Sequence, residues 1–133
     1  MAAKVLIVDD DPLVRKLLTR LLEKRFGAQV REAVDGYAGF MAAEAETPDL
    51  MLLDVSMPVV DGPALLEKMR ADERFAKLPV VTISAAGERE TVMRMIDLGV
   101  IDYLRKPLNL AAVQKRLERV FAAAGLSTPA AIR

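Results

Sequence analysis

Five short runs of mostly apolar residues punctuate the chain, at 5–8, 29–33, 50–53, 80–83 and 101–104. Three of them are apolar almost throughout, with no polar residue at every second position. A strand that does not alternate is buried on both faces, which is the condition of a parallel sheet covered by helices on each side. The run at 29–33 (Gln-Val-Arg-Glu-Ala) does alternate and reads as an edge strand.

Longer stretches with helical period fill the gaps. Leu13, Val14, Leu17, Leu18, Leu21 and Leu22 recur at i, i+3 and i+4, giving a helix with a wide apolar face. Asp11-Pro12 supplies a cap and a proline at the first helical position, and Gly27 follows Phe26 as a stop. The last helix repeats the pattern. Asn109 caps it, Leu110, Val113, Leu117, Val120 and Phe121 form the stripe, and Gly125 ends it. Helices near 36–46, 63–71 and 87–98 complete a βαβαβαβαβα order, in which right-handed crossovers place helices on both faces of one parallel sheet. With 133 residues this is one domain, expected over 1–125. Residues 126–133 are expected to be a flexible tail or the stump of a linker.

In an open parallel α/β sheet, ligands meet the carboxyl ends of the strands. Here the first strand runs into Asp9-Asp10-Asp11, the third into Asp54 and the fourth into Ser84, and the fifth is followed by Lys106-Pro107. Asp11, ahead of Pro12, reads as a helix cap. The other carboxylates would repel one another unless a cation joins them. The chain has no cysteine and no histidine, so any metal must be hard and oxygen-bound. Mg²⁺ is the natural occupant, with Mn²⁺ or Ca²⁺ able to substitute in vitro. A metal, the Lys106 ammonium and the Ser84 hydroxyl around one carboxylate would stabilise a phosphoryl group in flight, with Asp54 as the nucleophile.

Composition removes other classes. Lys+Arg and Asp+Glu are 19 each, so no global field draws in nucleic acid or anionic lipid. No apolar run nears the ~20 residues of a membrane span, and the first residues are not a signal peptide, so a cytoplasmic protein is expected. No G-x-G-x-x-G follows the first strand, against dinucleotide binding.

These residues resemble the receiver domains of bacterial two-component response regulators, over 4 to about 124. Val8-Asp9-Asp10 is similar to that family's acidic pair. Leu53-Asp54, with Met57-Pro58 and Asp61-Gly62 behind it, is similar to its phosphoacceptor loop. Ser84-Ala85 matches its Ser/Thr-Ala step, and Asp102-Tyr103-Leu104-Arg105-Lys106-Pro107 its aromatic followed by Lys-Pro. The resemblance implies a five-stranded sheet of order 2-1-3-4-5 in the flavodoxin-like, doubly wound manner. It implies Mg²⁺ held by Asp10, Asp54 and the main-chain carbonyl of Ser56, with Asp9 acting through water, and a cis Lys106-Pro107 bond. It implies a phosphoacceptor protein rather than an enzyme, one that takes a phosphoryl group from a histidine kinase or a phosphotransfer protein and catalyses only that transfer and its own slow dephosphorylation. Lys106 is expected to contact the phosphoryl group, with little part in the unphosphorylated fold. An aspartyl-phosphate hydrolase of the haloacid-dehalogenase type would need an Asp two residues after its nucleophile, where this chain has Ser56.

The family's switch pairs Ser84 with Tyr103, which turns inward as the hydroxyl moves to the phosphoryl group. The surface of the fourth helix, fifth strand and fifth helix would change with it, controlling a downstream protein target or a covalently linked output domain, or forming a phosphorylation-dependent homodimer. On the fourth helix Val92, Met93, Met95 and Ile96 are expected to form part of that partner surface, with Val92 or Met95 exposed at the margins of the apolar arc. Two departures stand out. Leu108 occupies a position where the family most often has an aromatic, and Ser56 and Ala86 fill the two variable positions beside the acceptor.

Overall fold

The computed structural model describes residues 2–128; the end of the expected tail, 129–133, lies outside them. Ten elements alternate along the chain: β1 (Lys4–Val8), α1 (Pro12–Phe26), β2 (Gln29–Ala33), α2 (Gly36–Ala45), β3 (Leu50–Asp54), α3 (Gly62–Arg70), β4 (Val80–Ser84), α4 (Arg89–Asp97), β5 (Asp102–Arg105) and α5 (Leu110–Ala123). The five strands are parallel and lie in the order β2-β1-β3-β4-β5. β2 is therefore an edge, as its alternation predicts. β5 is the other edge and begins one residue later than expected.

The unbroken apolar character of β1, β3 and β4 follows from covering on both faces. Val5, Ile7, Leu50, Leu52, Val81 and Ile83 point to one side, where they meet Leu18 and Leu22 of α1 and Leu117 and Phe121 of α5. Leu6, Val8, Met51, Leu53 and Val80 point to the other, against Ala43 of α2, Leu65, Leu66 and Met69 of α3, Phe75 and Met95. A buried leucine or isoleucine contributes about 1.5–3 kcal/mol. A one-residue slip in register would exchange these two faces.

The helices start and stop as their sequences direct. Asp11, Asp35, Asp61 and Asn109 each accept a first-turn amide at the heads of α1, α2, α3 and α5. Gly27 closes α1 with φ 63°, a conformation that costs glycine least. Beyond Gly125, Leu126 still donates its amide to the Phe121 carbonyl and packs on the α1–α5 core.

α4 departs from expectation. Met95 is fully buried, Val92 is half-buried, and Met93 and Ile96 are the exposed pair at 55% and 50%. At about 100° per residue, Val92 and Leu98 flank Met95 by about 60° on either side, whereas Ile96 lies about 100° and Met93 about 160° away. Met95 is the centre of the packed arc and not its margin. The width of the apolar arc indicates that part of it is exposed but not which part, because the phase is set by how α4 lies on the sheet.

Candidate functional site

β1 and β3 are neighbours, so Asp9 and Asp54 emerge side by side at the carboxyl end of the sheet. Both are buried, at 0% and 1% exposure. Asp10 is exposed beside them, and one carboxylate oxygen from each of Asp9, Asp10 and Asp54 can be chosen so that all three lie within 4.8 Å of one another. The cis bond between Lys106 and Pro107 belongs to the turn that leaves β5. From there the Lys106 Nζ reaches Asp9 Oδ2 at 3.3 Å and Asp54 Oδ2 at 3.4 Å.

Backbone groups fix the two acids. Asp9 Oδ1 accepts from the Asp11 N–H at 2.8 Å, and Asp54 Oδ1 from the Ser56 N–H at 3.2 Å. The side chain of Asp11 caps α1 through the Leu13 amide. Gly62 lets the loop after β3 fold back closely: a Cβ there would collide with the Asp54 carbonyl. Arg15, which the sequence does not single out, donates to the Asp9 carbonyl at 2.8 Å and pairs with Glu32 at 3.0 Å. A long charged side chain on a helix reads as a solvated face, so no sequence signal marks it.

The charges do not balance. Burial pushes the Asp54 carboxyl up, the Asp9 charge pushes it further, and the attraction of Lys106 only partly opposes them, leaving it at about 7. Burial likewise raises the Asp9 carboxyl from its ordinary value, against the pull of the Asp11 amide and Lys106. Burial lowers the Lys106 ammonium, but Asp54 and Asp9 outweigh this and hold it above its ordinary value. Lys106 is therefore a counter-ion within the folded site already, a larger part than the sequence reading assigned it. Asp9 Oδ2 is close enough to that ammonium for attraction, yet it lacks an aligned hydrogen-bond donor among the described residues. A pocket of carboxylate oxygens, one of them without a donor, fits a small hard divalent cation.

Ser84 is buried at the end of β4, and its carbonyl accepts from the Lys106 N–H at 2.7 Å. Tyr103 points outward, 41% exposed, with the Arg116 guanidinium 4.6 Å above its ring. Between them lies a cleft of about 310 Å³ lined by Ser84, Ala85, Val92, Met93 and Tyr103 among others. Leu108, in the aromatic's place, is half-buried against the α1–α5 core. Ser56 and Ala86 are both exposed. The Ala85 amide bonds to Glu88, a residue the sequence gives no reason to select.

The response regulator receiver domain family matches residues 5–118, nearly the whole chain. This chain belongs to that family. Among curated relatives, the DNA-binding dual master transcriptional regulator RpaA of Synechocystis sp. is 40% identical over 117 residues, 88% of this chain and 47% of that protein. The chemotaxis protein CheY-3 of Vibrio cholerae is 33% identical over 118 residues, 89% of this chain and 91% of that protein. The solved structure of Vibrio cholerae chemotaxis protein CheY4 superposes with a TM-score of 0.82 at 28% identity, covering 90% of this receiver and 99% of that chain. The receiver thus spans about half the length of the transcriptional regulator it matches and most of the chemotaxis protein. Receiver domains are phosphoacceptor modules of two-component signalling and not classical enzymes; they generally bind Mg²⁺ at an acidic pocket and interact with histidine kinases and output domains. Among the described residues no helix is long and apolar enough to cross a membrane.

Proposed function

We propose that this receiver accepts a phosphoryl group on Asp54 from a histidine kinase or a phosphotransfer protein and passes the signal through its α4-β5-α5 face. The observation that carries the reading is the placement of Asp54, 1% exposed at a strand end, against a second buried carboxylate and a shared lysine. Burying two carboxylates with one ammonium costs several kcal/mol, which only a use for them explains. Asp9, Asp10, Asp54 and the Ser56 carbonyl would hold Mg²⁺. When bound, it supplies the positive charge that keeps the carboxylates ionised and offsets charge on the phosphoryl oxygens.

In the transfer, a carboxylate oxygen of Asp54 attacks phosphorus in line with the P–N bond of the phosphohistidine. That bond breaks, its electron pair returns to the imidazole nitrogen, and an acyl phosphate remains on Asp54. Lys106 attracts the phosphoryl oxygens, and the Ser84 hydroxyl donates to one of them. In the separate hydrolytic step, water attacks phosphorus, the P–O bond to Asp54 breaks with its electron pair returning to the carboxylate, and inorganic phosphate leaves carrying the water's oxygen and protons. The output follows from Ser84 and Tyr103. Drawing the hydroxyl toward the phosphoryl group enlarges the cleft between Ser84 and α4, and the outward ring of Tyr103 has that cleft to enter. Met93 and Ile96, exposed on α4, border the surface that changes. The bound partner would be a downstream protein, a linked output domain or a second receiver.

The test is labelling by acetyl phosphate with Mg²⁺. Wild type incorporates phosphate and Asp54→Asn none, with the label mapping to Asp54 by mass spectrometry. Full labelling of the variant at another residue would refute the assignment.

A further inference from the structure

Four of the five helices begin with a side-chain cap, and α4 does not. Its N-cap residue, Glu88, turns its carboxylate backward instead. Oε1 accepts from the Ala85 N–H at 2.6 Å, the short distance of a charge-assisted bond. The neighbouring Ser84 carbonyl accepts from Lys106 and so points toward β5. In a trans peptide the N–H lies opposite the carbonyl, so the Ala85 N–H points the other way, toward β3. Two residues earlier on β4, the Ile83 carbonyl points to that same side and takes the Val55 N–H, and Ile83 is the ladder partner of Asp54. The amide that Glu88 occupies is therefore aimed at the side of the sheet that carries the acceptor.

We propose that Glu88 is a stand-in anion, holding the Ala85 amide until a phosphoryl oxygen on Asp54 displaces it. The inference rests on the reading of Asp54 as acceptor. An arriving phosphoryl group finds a donor already committed and a carboxylate already there, so Glu88 slows phosphorylation. Its release also reaches α4. The Glu88 carbonyl accepts the Val92 N–H at 2.9 Å in the first turn, so moving Glu88 disturbs the start of the helix that bears Met93 and Ile96. Glu88 is a positioning residue, acting through the Ala85 amide.

The test measures phosphorylation of the whole chain by acetyl phosphate with Mg²⁺, together with the ¹H–¹⁵N resonance of Ala85. Glu88→Ala should accelerate phosphorylation by roughly 5- to 10-fold, the low end for a bond to a charged group that is partly solvated. Glu88→Gln, a neutral acceptor of the same shape, should fall between it and wild type. Glu90→Ala removes an equal charge from the same helix and should change the rate by less than about 2-fold. The Ala85 resonance should move upfield in unphosphorylated Glu88→Ala and coincide with wild type once both are phosphorylated. Equal rates for wild type and Glu88→Ala with an unmoved Ala85 resonance would overturn the proposal, as would equal acceleration by Glu88→Ala and Glu90→Ala. Failure of wild type to label at Asp54 at all is a different result, and it would remove the functional reading itself.

Discussion

At the carboxyl ends of the strands, Asp9 and Asp54 share a single ammonium, and one carboxylate oxygen lacks an aligned donor. At the opposite end of the sheet, Arg70 is half-buried with no carboxylate partner among the described residues, yet its guanidinium is well supplied. Nε donates to the Leu98 carbonyl at 2.8 Å, and one terminal nitrogen donates to the carbonyls of Phe75 at 3.0 Å and Leu78 at 2.8 Å. The other terminal nitrogen makes a longer bond, 3.4 Å, to Gly99. These carbonyls lie in the loops between α3 and β4 and between α4 and β5. Arg70 thus ties the end of α3 to two loops with a planar fork of donors that carbonyl oxygens can satisfy. A polar group that serves the fold has its hydrogen bonds completed. The acid pair is left incomplete and its carboxyls are raised, as the proposed role in holding a cation and a phosphoryl group requires.

The contrast can be broken first at Arg70. Arg70→Ala leaves several loop carbonyls without donors, and the expected loss of stability is about 2–4 kcal/mol by urea denaturation. Arg70→Lys should recover less than half, since one ammonium cannot span the same carbonyls. Acceptance of phosphate from acetyl phosphate under native conditions should persist in both. If Arg70→Ala is as stable as wild type but fails to label, Arg70 belongs to the site and the division between the two ends is wrong.

The two ends also differ in how readable they are. Asp9, Asp54, Ser84 and Lys106 are short of solvent because they sit next to apolar strands, and strand ends are where such folds place chemistry. The pattern of runs therefore carries both the fold and the location of the acids. Arg70 sits in the last turn of α3, where a cation is ordinary. Its reach to Leu98, 28 residues on, depends on how two loops lie in space. Glu88 is hidden for the same reason, and so is the phase of α4 that buries Met95. Patterns of period 2 and 3.6 report which face is apolar; they do not report where a long polar side chain ends.

A smaller effect tests the acid pair through pH. The Asp54 carboxyl stands at about 7 against an ordinary 3.8. Between those values the folded chain keeps a proton that the unfolded chain has lost. The contribution of Asp54 to stability is therefore full below the lower value and falls as pH rises toward the upper one. Without divalent cation, stability at pH 8 should be below that at pH 5 by about 1–3 kcal/mol, less than the full shift implies because neighbouring groups adjust. Asp9→Asn, which removes a buried charge and keeps the shape, should stabilise the cation-free protein at pH 8 by about 1–2 kcal/mol and flatten that slope. A chain whose stability does not change between pH 5 and pH 8, with and without the substitution, would show that the pair is balanced after all.

The smallest expected change is at Asp10, and it separates ligand from scaffold most sharply. Asp10 is exposed, and among the described residues its carboxylate makes no hydrogen bond or ion pair, so the fold gains nothing from it. Asp10→Asn should shift cation-free stability by no more than about 0.5 kcal/mol. A cation that binds only the folded chain adds stability by mass action, about 1.4 kcal/mol when its concentration is ten times the dissociation constant. Wild type should show that gain on titration with Mg²⁺. Asp10→Asn should lose most of it, because an amide oxygen is a weaker ligand for a hard ion than a carboxylate. The two readings come from one experiment, thermal or urea unfolding with and without Mg²⁺, and they must split. If Asp10→Asn is destabilised by more than 1 kcal/mol without cation, Asp10 is part of the scaffold, and the incompleteness at this end of the sheet lies elsewhere. If it retains the full Mg²⁺ gain, the cation is held without it, and the ligand set shrinks to the buried pair and the Ser56 carbonyl.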